Sequence, residues 1–136
     1  MSSISTIALS GMNAAARRLQ VSASNVANVT STGALPNANG TVPAGSPTAY
    51  APLALVQTAS AGGGTQTTVT AATPSTIAAF DPQAPFADSN GLVAAPNIDL
   101  SQEMIGQIIA SYSFDANATV MTADDRMTKT LLDITA

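Results

Sequence analysis

Apolar residues recur at helical spacing near both ends of this chain and lose that rhythm in the middle. Near the start, Ala8, Met12, Ala15, Leu19, Ser22, Val26 and Val29 follow one another in alternating steps of four and three. That is a heptad seam, the spacing of helices that wrap left-handedly on partners. Ile4 and Ile7 extend the apolar surface upstream, and the small side chains of Ala14, Ala15 and Ala16 let another helix approach closely. The pattern predicts a helix over residues 2–31, with Gly33 taking the left-handed conformation at its end and Pro36 blocking continuation. Near the other end the stripe is Ile105, Ile109, Tyr112, Ala116, Val120, Ala123, Met127, Leu131 and Ile134. Its steps approximate an eleven-residue repeat, close to the natural helical period, so this helix can stay nearly straight. It is predicted over 99–134, with Asp99 or Ser101 capping its first turn.

Residues 33–97 contain all eight prolines and seven of the nine glycines. Two short strands are predicted there, Ala51 to Thr58 and Gln66 to Ala71, flanking a flexible tip at Gly62, Gly63 and Gly64. The segments 33–48 and 73–97 read as turns, with an ordered turn at Asp88 to Gly91. The organisation is therefore an N-terminal assembly helix (1–32), a central segment with a β-hairpin (33–97) and a C-terminal assembly helix (98–136). The fold class is mainly α, with two long terminal helices forming a coiled coil with neighbouring subunits and a small central β-hairpin element. Helices of about 39 and 50 Å, at about 1.5 Å per residue, cannot bury their seams on a small hairpin. They can pair with each other, but the economical solution buries their faces against copies or relatives of the same chain.

Composition strengthens that reading. The chain has 136 residues, 46% of them apolar but only 4% aromatic, and 9% charged. An ordinary soluble domain is about 25% charged, so this chain either folds poorly alone or has most of its surface covered by partners. Four basic residues and a net charge of −4 argue against a nucleic-acid partner. No apolar run of transmembrane length occurs, so an integral membrane protein is not expected. The arginines of the N-terminus follow its apolar part, the reverse of a secretory leader. Without His or Cys, catalysis by either and zinc-finger chemistry are excluded.

The remaining catalytic candidates are carboxylates. Asp99 and Glu103 stand at a helix start, where negative charge complements the dipole. Asp124 and Asp125 are adjacent and point in different directions, with Asp125 four residues before Lys129. The Asp88 turn fails the calcium-loop pattern, and the glycines at 62–64 lack the lysine of a phosphate loop. No enzyme, cofactor, metal or small-molecule substrate is expected. Asn25 and Asn28, three residues apart, are either exposed polar groups at a fraying helix end or buried amides that set the register of a helix contact. Asn117 is a similar candidate on the second helix. Tyr112 and Phe114 read as core residues.

Ala8-Leu-Ser-Gly-Met-Asn-Ala-Ala-Ala-Arg-Arg-Leu19, followed by Ala23-Ser-Asn-Val-Ala-Asn28 and Thr32-Gly33, resembles the N-terminal signature of bacterial flagellar rod and hook axial proteins. Phe80-Asp-Pro, Ala87-Asp-Ser-Asn-Gly-Leu-Val93, Pro96-Asn-Ile-Asp-Leu100 and Ala110-Ser-Tyr-Ser-Phe-Asp-Ala-Asn117 are similar to the proximal members of the basal-body rod family. The resemblance covers about half the chain, and residues 34–79 lie outside it. It implies a structural subunit of a rod that crosses the periplasm and transmits motor torque. The implied partners are other flagellar rod subunits, copies of itself and the flagellar type III export apparatus. The expected subunit interface comprises Ile4, Ile7, Ala8, Met12, Ala15, Leu19, Asn25, Val26, Asn28, Ile105, Ile109, Tyr112, Asn117, Val120, Met127, Leu131 and Ile134. Another type III-exported rod or hook protein is the nearest alternative. A membrane-active amphipathic protein is a further one, disfavoured by the scarcity of Lys and Arg on the polar faces.

Overall fold

The computed structural model describes residues 3–135. The element order is α1 (Ser3–Ala27), β1 (Leu53–Ala59), β2 (Thr65–Ala71), β3 (Thr76–Phe80), β4 (Leu92–Pro96) and α2 (Leu100–Thr135). Two helices with a small central β region are thus as expected, and the start of the first helix at residue 2 lies outside the described residues.

α1 ends earlier than its apolar rhythm. The Asn28 N–H divides itself between Ser24 O and Asn25 O, and Val29 N–H reaches back only to Val26 O at 3.4 Å. The Asn28 amide also donates to Ser24 O at 2.9 Å, taking an acceptor from the helix ladder. Val29 therefore falls in the following turn. Gly33 does not take the left-handed conformation, which Gly40, Gly45, Gly63, Gly64 and Gly91 adopt. It forms an isolated bridge with Ala94, and a Cβ there would collide with the backbone of Thr48 and Ala49. Glycine is needed at 33 for close approach. α2 is capped by Asp99, whose Oδ1 accepts from Ser101 N–H at 2.8 Å and Gln102 N–H at 3.2 Å.

The central segment holds two antiparallel ribbons, one more than the sequence pattern implies. β1 pairs with β2. β3 pairs with β4 in a register running from Thr76↔Pro96 to Phe80↔Leu92. The second ribbon is alanine-rich, ends in proline and lacks apolar–polar alternation, so the period-two signal of a strand is missing from it. Between β3 and β4 the expected turn is present. Asp88 Oδ1 accepts from Asn90 N–H and Leu92 N–H, both at 2.8 Å, while Gly91 supplies a φ of 74°. The bond from Leu92, with help from Asn90, holds the exposed Asp88 carboxyl below its usual pKa.

The described chain forms two compact units. The first contains α1 up to Ser22, Leu55–Val69 and α2 from Met104 onward. Here the tip of the β1–β2 hairpin rests on α1: Ser10 Oγ donates to Ile7 O at 2.7 Å and accepts from Thr65 N–H at 3.1 Å. A Cβ on Gly64 would strike Ser10, so glycine at this position lets the hairpin dock on α1. The second unit comprises Ala23–Ala54 and Thr70–Glu103, with Val93 and Ala94 buried in it.

Candidate assembly surface

In the first unit α1 and α2 lie antiparallel, as three contacts show. The Ser5 hydroxyl donates to the Asp124 carboxylate, the Gly11 backbone faces Asn117, and Gln107 Nε2 donates to Ser22 Oγ at 3.1 Å. Ala8, Met12, Ala15 and Ala110 are buried alongside. Apart from Met12, the seam is therefore built of small and polar groups. Small residues allow the axes to approach, and the polar ones satisfy one another. Asp124, only 5% exposed, belongs to this seam rather than to a reactive cleft.

The second unit contains a tight polar node. Asn25, 2% exposed, uses its whole amide. Its Nδ2 donates to Leu53 O at 2.9 Å and Glu103 Oε1 at 2.6 Å. Its Oδ1 accepts from Leu53 N–H at 2.9 Å and Tyr50 O–H at 3.1 Å. The amide thus meets β1 as a neighbouring strand would. Asn28 bonds only locally, to Ser24 O and the Ser31 hydroxyl, and closes the helix end. Asn117 is half-buried and donates to Ser113 O at 2.7 Å.

The expected surface residues divide accordingly. Ala8, Met12, Ala15 and Asn25 are enclosed by their own chain, and Asn25 is the buried amide of its two alternatives. Val26, Asn28 and Asn117 are half-buried. Ile4, Ile7 and Leu19 stand exposed on α1. On α2, Ile105, Ile109, Tyr112, Val120, Met127, Leu131 and Ile134 are all exposed, with Tyr112 at 73%. Tyr112 and Phe114, expected in the core, are both outside it. Every member of the α2 stripe faces outward, Ala116 and Ala123 included. Met104 and Ile108 widen it, giving five large apolar side chains on three turns with no charge from Met104 to Phe114. Beside it, Ala15, Ala16, Leu19, Ala110, Ser111, Phe114 and the charged Asp115 line a groove of about 270 Å³. Exposed apolar patches of this kind occur at protein contacts, at membrane-binding faces and in ligand grooves. The seam residues Ser5, Gln107 and Asp124 carry no apolar signal, and sequence reasoning missed them.

Among the described residues no helix is long and apolar enough to cross a membrane, and no cluster of acidic side chains is arranged to hold a metal.

Comparison with known proteins gives this surface its context. A model described as flagella basal body rod protein matches residues 6–34, which include most of α1. A second, described as flagellar basal body rod FlgEFG protein C-terminal, matches residues 89–134, which include β4 and nearly all of α2. Both describe flagellar rod proteins. The flagellar basal-body rod protein FlgC of Yersinia enterocolitica is 36% identical over 133 residues, covering 92% of this chain and 91% of the relative. FlgC of Salmonella typhimurium is 34% identical over 131 residues, with the same coverage. FlgC of Bacillus subtilis is 36% identical over 55 residues, covering 40% of this chain and 37% of that protein. The chain belongs to the FlgC family of flagellar basal-body rod proteins.

Proposed function

We propose that this chain is a structural, non-enzymatic axial subunit of the bacterial flagellar basal-body rod, of the proximal type. The outward α2 stripe and the exposed Ile4, Ile7 and Leu19 of α1 pack, coiled-coil fashion, against the helices of other rod subunits and of further copies. The terminal segments 1–32 and 98–136 carry assembly, and the central segment 33–97 carries lateral contacts. The subunit reaches the rod, which crosses the periplasm, through the flagellar type III export apparatus. A contact that joins different faces of successive subunits builds an open helical array, and many small packed interfaces then transmit torque.

The observation that carries this reading is the inversion of α2. Its large apolar residues face outward, while its small and polar ones make the intramolecular seam. A monomer gains nothing from such an arrangement, since burying a large aliphatic side chain is worth about 1.5–3 kcal/mol. Truncation after Asp125 tests it. It removes Met127, Leu131 and Ile134 and keeps the Ser5–Asp124 contact. The shortened chain is expected to fold with helical content reduced only by the missing turns, yet to be absent from isolated basal bodies. Normal motility in cells that carry only the truncated chain refutes the proposal.

A further inference from the structure

Two of the chain's eight asparagines precede glycine, at Asn39-Gly40 and Asn90-Gly91. The structure folds both pairs into the same kind of turn. Asn37 N–H donates to Thr41 O and Gly40 N–H to Asn37 O, each at 2.8 Å. Asp88 N–H donates to Leu92 O and Gly91 N–H to Asp88 O, each at 3.0 Å. Gly40 and Gly91 take the left-handed conformation, with φ of 75° and 74°. Both are three-residue hairpin loops closed by a left-handed glycine. Asn39 and Asn90 are both exposed, so water reaches each. What differs is the hold on each turn. Asp88 Oδ1 accepts from Asn90 N–H and Leu92 N–H, both at 2.8 Å, and Asp88 Oδ2 accepts from Asn90 Nδ2 at 3.4 Å. Gly91 O accepts from Asp81 N–H at 2.9 Å, and a Cβ on Gly91 would press on Pro82 and Phe80. The first turn has no such support. A Cβ on Gly40 would meet nothing within 4 Å, and the side chains of Asn37 and Asn39 bond to no described residue.

An asparagine side chain before glycine is open to attack by the next backbone nitrogen, because glycine has no side chain to obstruct it and its backbone turns freely. We propose that Asn39 is a site of spontaneous deamidation in this chain, and that the Asp88 clamp protects Asn90 in its otherwise equivalent turn. The Gly40 nitrogen gives up its proton to water and attacks Asn39 Cγ. A bond forms between Gly40 N and Asn39 Cγ, closing a succinimide ring, while the bond from Cγ to Nδ2 breaks. Nδ2 takes a proton from water and leaves as ammonia. Water then adds to either ring carbonyl and opens it, giving aspartate or isoaspartate. The first step requires the turn to open, since the attacking nitrogen is tied to Asn37 O. At Asn39 only backbone bonds resist that opening. At Asn90 the bonds to the Asp88 carboxylate resist it as well, and bonds to a charged acceptor are the stronger kind. The open form of the second turn is therefore the rarer one. The product at position 39 places a carboxylate in residues 19–80, which carry no charged side chain. Isoaspartate also lengthens the main chain within the loop and disturbs the pair formed by Asn37 and Thr41. The reaction needs only this chain and water, and is independent of assembly.

The test uses the purified full chain, held in warm, mildly alkaline buffer and sampled over time. No Lys or Arg lies between Arg18 and Arg126, so peptic rather than tryptic fragments separate the two sites. Mass spectrometry of those fragments reads the conversion of amide to acid at each. Conversion at Asn39 is expected to be at least about tenfold faster than at Asn90, from the added cost of breaking bonds to a carboxylate. Urea sufficient to unfold the chain should bring the two rates together, since both sites are then Asn-Gly in an open chain. Asp88→Ala should speed conversion at Asn90 and leave Asn39 as it was. Equal rates in the folded chain, or a faster rate at Asn90, overturn the proposal. So does a folded chain in which neither site converts while both do in urea, because the first turn is then held as well as the second. A preference for Asn39 that persists unchanged in urea overturns the protective role of Asp88, and so does an unaltered Asn90 rate in a folded Asp88→Ala chain.

Discussion

α1 and α2 carry apolar stripes of similar spacing, yet they orient them oppositely. On α1 the stripe turns inward over Ala8, Met12, Ala15 and Ser22, all buried. On α2 it turns outward along its whole length, from Ile105 to Ile134. The difference lies in side-chain size. Alanine, glycine and serine let two helices approach until amides and hydroxyls on both can bond. Ile105, Ile109 and Tyr112 are too bulky for such a seam. They provide more burial per residue only where a partner can wrap around them. In the helix seam the chain thus packs mainly its small residues, with Met12, and leaves the large ones of α2 on the outer face.

The comparison breaks most readily at the polar node of α1. Asn25→Leu leaves the N–H and C=O of Leu53 and the Tyr50 hydroxyl to find other partners in a buried place. A loss of about 3 kcal/mol is expected, from the penalty for unsatisfied buried polar groups. Thermal unfolding followed by circular dichroism measures it. The structure predicts that Asn25→Gln recovers little, because an added methylene displaces the amide from four partners at once.

A smaller loss is expected in the seam itself. At Gly11 a Cβ would displace the Asn117 amide, which already donates to Ser113 O. Gly11→Val should destabilise by about 2 kcal/mol, the usual range for an overfilled core. Gly11→Ala should cost less, because alanine regains about 1 kcal/mol of helix propensity. Equal denaturation midpoints for both variants and the parent chain would show that the helices are not in close contact there.

The helices and their period were legible because four-and-three spacing survives whatever the residues pack against. Which face turns inward was not. Ser5, Gln107 and Asp124 look like surface residues until a partner far along the chain is placed beside each. The same holds for Gly33, whose need for glycine is created by Thr48 and Ala49. The β3–β4 ribbon was hidden for another reason. Four of its ten residues are alanine, and no apolar–polar alternation runs through the rest. The outward stripe was read correctly as apolar, but sequence alone cannot separate an apolar face buried in the chain from one held for a partner.

That ambiguity sets the last and smallest stability effect. Ile105→Ser with Ile109→Ser removes two large apolar side chains, at 57% and 47% exposure, from the outer face of α2. If they belonged to the chain's own core, the pair would lose several kcal/mol, about 2–5 for each large-to-small change. Because they face outward, the double variant should unfold within about 0.5 kcal/mol of the parent. The same variant should be strongly depleted from isolated basal bodies, since both residues sit where the stripe is widest. Unchanged folding with lost incorporation separates the two uses of an apolar stripe. A large drop in melting temperature would instead place these isoleucines inside the fold and remove the contrast between the helices.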